Sequence, residues 1–179
     1  MSWIQTYTGR AVDVLAFEPA DFDIEDVAHH LSMLCRYNGA VRKFYSVAEH
    51  CVLLSHAVAP ENALWALLHD ATEAYVGDMV WPLKNEIPEF EVIEGHIMSA
   101  IAARVGLVPA QPAEVKEYDR RIVLDERAAL LREPERPWSA LEGKAPLGLT
   151  IYGWPPHIAE YEYNARFRQL TTHTDGQET

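Results

Sequence analysis

The sequence predicts an all-α fold. Three observations carry that expectation: apolar residues recur at helical three-and-four spacing through most of the chain, strand-like alternation is scarce, and Gly, Pro and Asn-Gly breaks separate the periodic segments. Asp23 caps a first helix over about 24–35, where Ile24, Val27, Leu31 and Leu34 keep one face. Asn38-Gly39 marks a turn. Ser46 opens a second helix, with Glu49 at the spacing of a capping box, and the pattern runs through Val47, Cys51, Leu54 and Val58 to Pro60. A third helix is expected from about 61 to 75; Leu64, Ala66, Leu67, Leu68 and Ala71 make most of it apolar, so it is buried on several sides, and Gly77 ends it.

Residues 78–84, with Pro82 among them, read as a loop. Further helices are expected at about 88–105, stopped by Gly106, and at about 112–132. The stretch 133–156 carries Pro134, Pro137, Pro146, Pro155 and Pro156 and reads as irregular connection, after which weaker helical spacing covers 157–171. Residues 1–22 read as an irregular, extended or hairpin-like lead-in, and the last residues as a disordered tail. The whole, 1–179, reads as a single domain: a compact helical bundle with its core over about 24–132, followed by a proline-rich connection, a C-terminal helix and a tail over 133–179.

Composition narrows the function classes. Apolar residues make up 49% of the 179 and charged residues 23%, an ordinary globular balance. No stretch approaches the roughly 20 consecutive apolar residues of a membrane span, and the first residues lack the basic start and apolar run of a secretory signal. Cys35 and Cys51 lie inside apolar patterns and read as core thiols of a reducing, cytoplasmic compartment. A net charge of −12 argues against nucleic-acid polymers as partners, since backbone binding needs Lys and Arg to displace counterions. It leaves room for a small phosphorylated substrate, because a metal ion and two or three local cations can reverse the field within one pocket.

The chemistry concentrates in the third helix. The apolar run Ala63-Leu64-Trp65-Ala66-Leu67-Leu68 is broken by His69-Asp70, with Glu73 three and four positions on and therefore on the same helical face. Buried carboxylates cost several kcal/mol each unless paired, hydrogen-bonded or bound to a cation. The other reading of these residues is a partly exposed polar stripe on an amphipathic helix. His50, in the preceding antiparallel helix, can reach the same end of the pair, and imidazole with carboxylate ligands suits Mn, Fe, Co, Ni or Zn in a site open to water.

Tyr45-Ser46-Val47-Ala48-Glu49-His50 and Leu68-His69-Asp70-Ala71-Thr72-Glu73-Ala74-Tyr75-Val76-Gly77-Asp78 resemble the HD-domain phosphohydrolase superfamily. Within it, the chain is similar to bacterial HD-domain 5′-deoxynucleotidases and phage HD-type deoxynucleotide triphosphohydrolases, over most of residues 8–170. The resemblance implies an HD-domain bundle holding one divalent metal (Co, Mn, Zn, Fe or Ni, with Mg a further candidate) on His50, His69, Asp70 and a later aspartate. Asp119 is the best match for the last, and Asp125, six positions on and on another face, is its competitor. It implies substrate contacts by Arg36 and Tyr37, the Arg-aromatic pair before the first metal histidine, and by Asp78. Tyr37 stands where the deoxyribose-selective enzymes carry Trp, which leaves the sugar preference open. Glu73 matches the acidic residue beside the metal's water. Lys84 is a candidate phosphate contact or a solvated loop lysine, and Arg42 and Lys43 stand in the same position.

The expected activity is hydrolysis of a small nucleotide by attack of metal-activated hydroxide on phosphorus, with Glu73 and Asp70 as the catalytic acids and bases. A 5′-(deoxy)nucleotidase releasing phosphate from a (d)NMP comes first. A triphosphohydrolase acting, for example, on dATP is the alternative, and a non-catalytic nucleotide- or metal-sensing HD module the second alternative. The resemblance also implies a homodimer. His29-His30 reads as surface or capping residues, Arg120-Arg121 as partners of acids such as Glu117 or Glu126 with Arg120 able to orient Asp119, and Trp138 and Trp154 as covers over the core.

Overall fold

A computed structural model describes residues 3–172; the expected disordered tail lies outside them. The fold is all-α. Two short antiparallel strands, β1 (Ile4–Gln5) and β2 (Ala11–Val12), form the N-terminal hairpin. The helices are α1 (Ile24–Met33), α2 (Val47–Ala57), α3 (Ala63–Leu68), α4 (Glu73–Val76), α5 (Trp81–Lys84), α6 (Pro88–Val105), α7 (Ala113–Leu130) and α8 (Pro156–Thr172). Asp23 caps α1 by accepting from the Glu25 N–H, Ser46 caps α2 by accepting from the Glu49 N–H, and Gly106 closes α6 in the left-handed conformation.

The main core lies between α1, α2, α3, the second half of α6 and α8, around Val27, Leu31, Val47, Leu67, Leu68, Ile97, Ile101 and Tyr163. The C-terminal helix packs against α1, α2 and α3, and Val12, Phe17, Ala159 and Tyr163 are buried, so the core extends past the expected 24–132 at both ends. A second cluster of Leu54, Trp65, Ala66, Val115 and Ile122 fastens α7 to α2 and α3.

The expected helix over 61–75 is broken, and the break falls at the HD pair. Across it the backbone tightens to i→i−3 hydrogen bonds, from Ala71 to Leu68, Glu73 to Asp70 and Tyr75 to Thr72. Carbonyls released at the end of α3 must find other donors. His69 Nδ1–H donates to the Ala66 carbonyl at 2.8 Å, and the Tyr163 hydroxyl donates to the Leu67 carbonyl at 2.8 Å. The loop expected over 78–84 also changes: Trp81–Lys84 forms the short helix α5, opened by Pro82 within its first turn, where a missing N–H costs nothing.

Glu49 completes only half of the expected capping box. Its carboxylate turns away from the cap and accepts the backbone N–H groups of Tyr152, Gly153 and Trp154 at 2.8, 2.8 and 2.5 Å, pinning the proline-rich connection onto α2. Glu49→Ala should lower the unfolding free energy by about 2–3 kcal/mol, because bonds to a charged acceptor are lost and three donors are stranded. Urea unfolding followed by circular dichroism measures this; an unchanged midpoint would show that the carboxylate does not hold the loop.

Candidate metal centre

Three elements bring four candidate ligand side chains close to one another. His50 comes from α2, His69 and Asp70 from the turn after α3, and Asp119 from α7. His50 Nε2 and His69 Nε2 stand 3.2 Å apart. Asp119 Oδ1 lies 3.2 Å from His50 Nε2 and 3.6 Å from His69 Nε2, and Asp70 Oδ2 lies 3.7 and 3.2 Å from the same two atoms. Donors about 2.0–2.2 Å from a common centre sit roughly 3.0–3.6 Å from one another, so the spacing of His50, His69 and Asp119 suits an ion held by these three side chains, with Asp70 beside them. His50, His69 and Asp119 form one group able to hold a metal; Cys51, His69 and Asp70 form a second.

The second group is the poorer one. Cys51 Sγ approaches His69 at Nδ1, 3.9 Å away, and that nitrogen already donates to Ala66. Burial also pushes the Cys51 thiol up to about 11, which keeps it protonated while no metal is bound. Cys51 is a core thiol, and Cys35 is also free.

Hydrogen bonding fixes how the imidazoles present themselves. The Ala66 carbonyl can only accept, so His69 carries its proton on Nδ1 and turns the Nε2 lone pair inward. His50 Nδ1 lies 2.7 Å from Glu126 Oε1, which leaves its Nε2 facing the cluster in the same way. For both imidazoles burial works against a positive charge. Glu126 and Asp119 around His50, and Asp70 and Asp119 around His69, more than offset it and raise the pKa. A metal cation and a proton compete for the same lone pairs, so surroundings that favour one favour the other. Burial likewise opposes the charge on Asp70, but His69 and His50 bring it down to about 2; burial opposes the charge on Asp119 too, but the two imidazoles facing it hold it well below the usual carboxylate range.

No family model matches the chain. It is 39% identical over 143 residues to the uncharacterized protein YfdR of Escherichia coli strain K12, covering 80% of each chain. The chain belongs to the YfdR family. It is also 38% identical over 125 residues to the uncharacterized protein RCAP_rcc00048 of Rhodobacter capsulatus, covering 64% of each.

A cleft of about 250 Å³ opens beside this centre, lined by His69, Asp70, Thr72 and Glu73 on one side and by Lys84, Glu91 and Glu94 on the other. Glu73 reaches the cleft although the helix is broken, because the i→i−3 turn still returns it beside Asp70. Its Oε2 is buried without a hydrogen-bond partner, and burial first, then Asp70 and Asp78, raise its pKa well above the usual value. Asp78 is raised mainly by burial, against the pull of Arg36.

Arg36 is drawn in between acids: Nη1 is 3.4 Å from Asp70 Oδ2 and Nη2 3.5 Å from Glu126 Oε2, while Nε is buried without a partner. The Tyr37 hydroxyl donates to Glu126, so that hydroxyl is engaged within the protein. Lys84 lines the cleft but its ammonium pairs with Glu94 at 2.5 Å. Arg42 donates to the carbonyls of Ala128, Ala129 and Leu130 at the end of α7, and Lys43 to those of Ile151 and Tyr152, so both fasten backbone.

Asp125 is not a rival ligand. It accepts the N–H groups of Leu147, Gly148 and Leu149 on another face of α7. Of the acids expected beside Arg120-Arg121, Glu126 is engaged elsewhere and Glu117 is held by Lys144 with both arginines adding their attraction; Arg121 donates to the Ala145 and Pro146 carbonyls and Arg120 is exposed. His29 stacks on Tyr7 and bonds Glu160, and His30 bridges the Tyr7 N–H and the Ala74 carbonyl, so the pair is structural. Trp138 lies beside Tyr37 and Arg127, and Trp154 stacks on Tyr152.

Sequence reasoning missed Glu126 as a member of the site. It is fully buried and joins His50, Arg36, Tyr37 and Tyr45. A signal was available, since Val115, Asp119, Ile122, Glu126 and Leu130 fall at three-and-four spacing on one face of α7. Asp119→Asn should abolish saturable Mn²⁺ binding measured by calorimetry. Asp125→Asn should keep it and lower the melting temperature instead; the opposite pattern would exchange their roles.

Proposed function

We propose that this chain is a metal-dependent phosphohydrolase of the HD-domain type that acts on small nucleotides, first of all as a 5′-(deoxy)nucleotidase releasing phosphate from a (d)NMP. The observation that carries the reading is the convergence of two imidazole Nε2 atoms with Asp70 and Asp119 at the rim of a cleft that also holds a buried, unpartnered Glu73 oxygen. The donor set fits a divalent transition ion such as Mn, Co, Fe, Ni or Zn. Held there, such an ion would supply Lewis acidity to a phosphoryl oxygen and lower the pKa of water.

The chain's own groups have separable tasks in this reading. Glu73, whose raised pKa makes its ionised form a stronger base than an ordinary carboxylate, takes a proton from the attacking water through its free Oε2. Asp70, ionised beside His69, has no proton of its own to give; it accepts the water's proton from Glu73 and passes it to the leaving oxygen as the ester breaks. Arg36, whose Nη1 is 3.4 Å from Asp70 Oδ2, offers its guanidinium to phosphate oxygens as charge grows on them.

The disposition of cations favours a monophosphate over a triphosphate. Arg42 and Lys43 are committed to backbone carbonyls and Lys84 to Glu94, and the far wall of the cleft is acidic at Glu91 and Glu94. Three phosphates would meet few unpaired positive charges there. A cytoplasmic location and assembly as a homodimer belong to the same proposal. Free Cys35 and Cys51 agree with a reducing compartment, and among the described residues no helix is long and apolar enough to cross a membrane.

With Mn²⁺ or Co²⁺ present, dAMP should yield inorganic phosphate and deoxyadenosine, and dATP should be a poor substrate; product chromatography on separate incubations reads both. Glu73→Ala should reduce kcat by about 10²–10⁴-fold while bound metal, measured by mass spectrometry, stays at the wild-type level. Near-normal turnover in Glu73→Ala would remove the assigned role, and the absence of phosphate release from any nucleotide with any of these metals would overturn the hydrolase reading in favour of a binding module.

A further inference from the structure

Glu126 sits seven residues after Asp119 on the buried face of α7, where an apolar residue would be expected between Ile122 and Leu130. A carboxylate in that place is fully buried and would be costly if it only filled space. Instead both of its oxygens are saturated. Oε1 takes His50 Nδ1 at 2.7 Å and the Tyr45 hydroxyl at 2.9 Å; Oε2 takes the Tyr37 hydroxyl and lies 3.5 Å from Arg36 Nη2.

We propose that Glu126 is a positioning residue that locks His50 and Arg36 into a single unit. This rests on reading His50 as a metal ligand. Its first effect is on His50. A carboxylate against Nδ1 places the proton there, aims the Nε2 lone pair at the cluster and makes that nitrogen a stronger donor. Its second effect is on Arg36. Glu126 and Asp70 hold the two ends of one guanidinium, so its plane is set relative to both histidines.

The backbone beside Arg36 bears on the same point. Tyr37 is in the left-handed region at φ 57°, as is Asn38 at φ 51°, a conformation that side chains with a Cβ adopt at a cost. Such strain persists only where the surroundings over-determine it. Here the Tyr37 hydroxyl is tethered to Glu126, and the Arg36 N–H donates to the Tyr45 carbonyl at 3.0 Å, with the Tyr45 hydroxyl on the same carboxylate. Glu126 therefore holds the strained turn that carries Arg36 as well as the guanidinium itself. No apolar residue at this position could do either.

The test compares wild type, Glu126→Gln, Glu126→Leu and Tyr37→Phe, each checked for folding by thermal melting. Two-dimensional ¹⁵N spectra of the imidazoles in metal-free protein report the His50 tautomer, and calorimetry with Mn²⁺ reports affinity. Wild type and Glu126→Gln should show His50 protonated on Nδ1, because the Gln oxygen still accepts. Glu126→Leu should lose that preference. Mn²⁺ dissociation constants should rise about 10-fold in Glu126→Gln, where the charge is lost, and up to about 100-fold in Glu126→Leu. Tyr37→Phe, which keeps the His50 bond, should bind Mn²⁺ as wild type does. Wild-type tautomer and affinity in Glu126→Leu would overturn the proposal. Should Glu126→Leu not fold, equal Mn²⁺ affinity in Glu126→Gln and wild type would do so. Wild type that binds no Mn²⁺ counts against His50 as a ligand, and the tautomer comparison then decides Glu126's hold on His50 by itself.

Discussion

Two buried imidazoles face each other with their Nε2 atoms 3.2 Å apart, and much of the rest of the structure serves to keep them that way. Each has its other nitrogen engaged, by the Ala66 carbonyl in one case and by Glu126 in the other. Two inward lone pairs at that distance repel unless a proton or a metal cation lies between them, and the carboxylates of Asp70 and Asp119 favour either cation. The local backbone follows from this constraint. His69 takes a carbonyl that the next helical turn would use, α3 ends, and the chain tightens through the HD pair before restarting at α4.

The acidic residues fall into two kinds of work. Asp70, Asp119 and Glu126 gather around the two imidazoles and Arg36. Glu49 and Asp125 do something unrelated: each collects three consecutive backbone N–H groups and so fixes the connection between α7 and α8, which has little regular structure of its own. Burying these carboxylates is tolerable because each one is met by donors or by a positive partner. Of the basic residues nearest the site in sequence, Arg42 and Lys43 tie backbone and Arg36 turns toward Asp70 and Glu126.

Helices with strong punctuation were readable. Gly106 and the prolines bounded α6 closely, and Asp23 and Ser46 capped as their sequence positions suggest, because these signals act over three or four residues. The expected helix over 61–75 was misread because its apolar period continues through the break. What interrupts it is a side chain, His69, bonding its own backbone, and a tyrosine from α8 capping a freed carbonyl. Periodicity does not register either event.

The sequence by itself determined that His50, His69-Asp70 and an aspartate of α7 stand at helical positions able to meet, since residue type and local spacing suffice for that. Which aspartate meets them was decided only by packing: α7 turns Asp119 inward and leaves Asp125 to the connecting loop. The fate of the cations was likewise a tertiary matter, because Arg42, Lys43 and Lys84 find partners 10 to 109 residues away. Glu126 is the clearest case. Its place on the buried face of α7 was written in the sequence, but its four partners come from α2 and the segment before it, and only the folded chain brings them to one carboxylate.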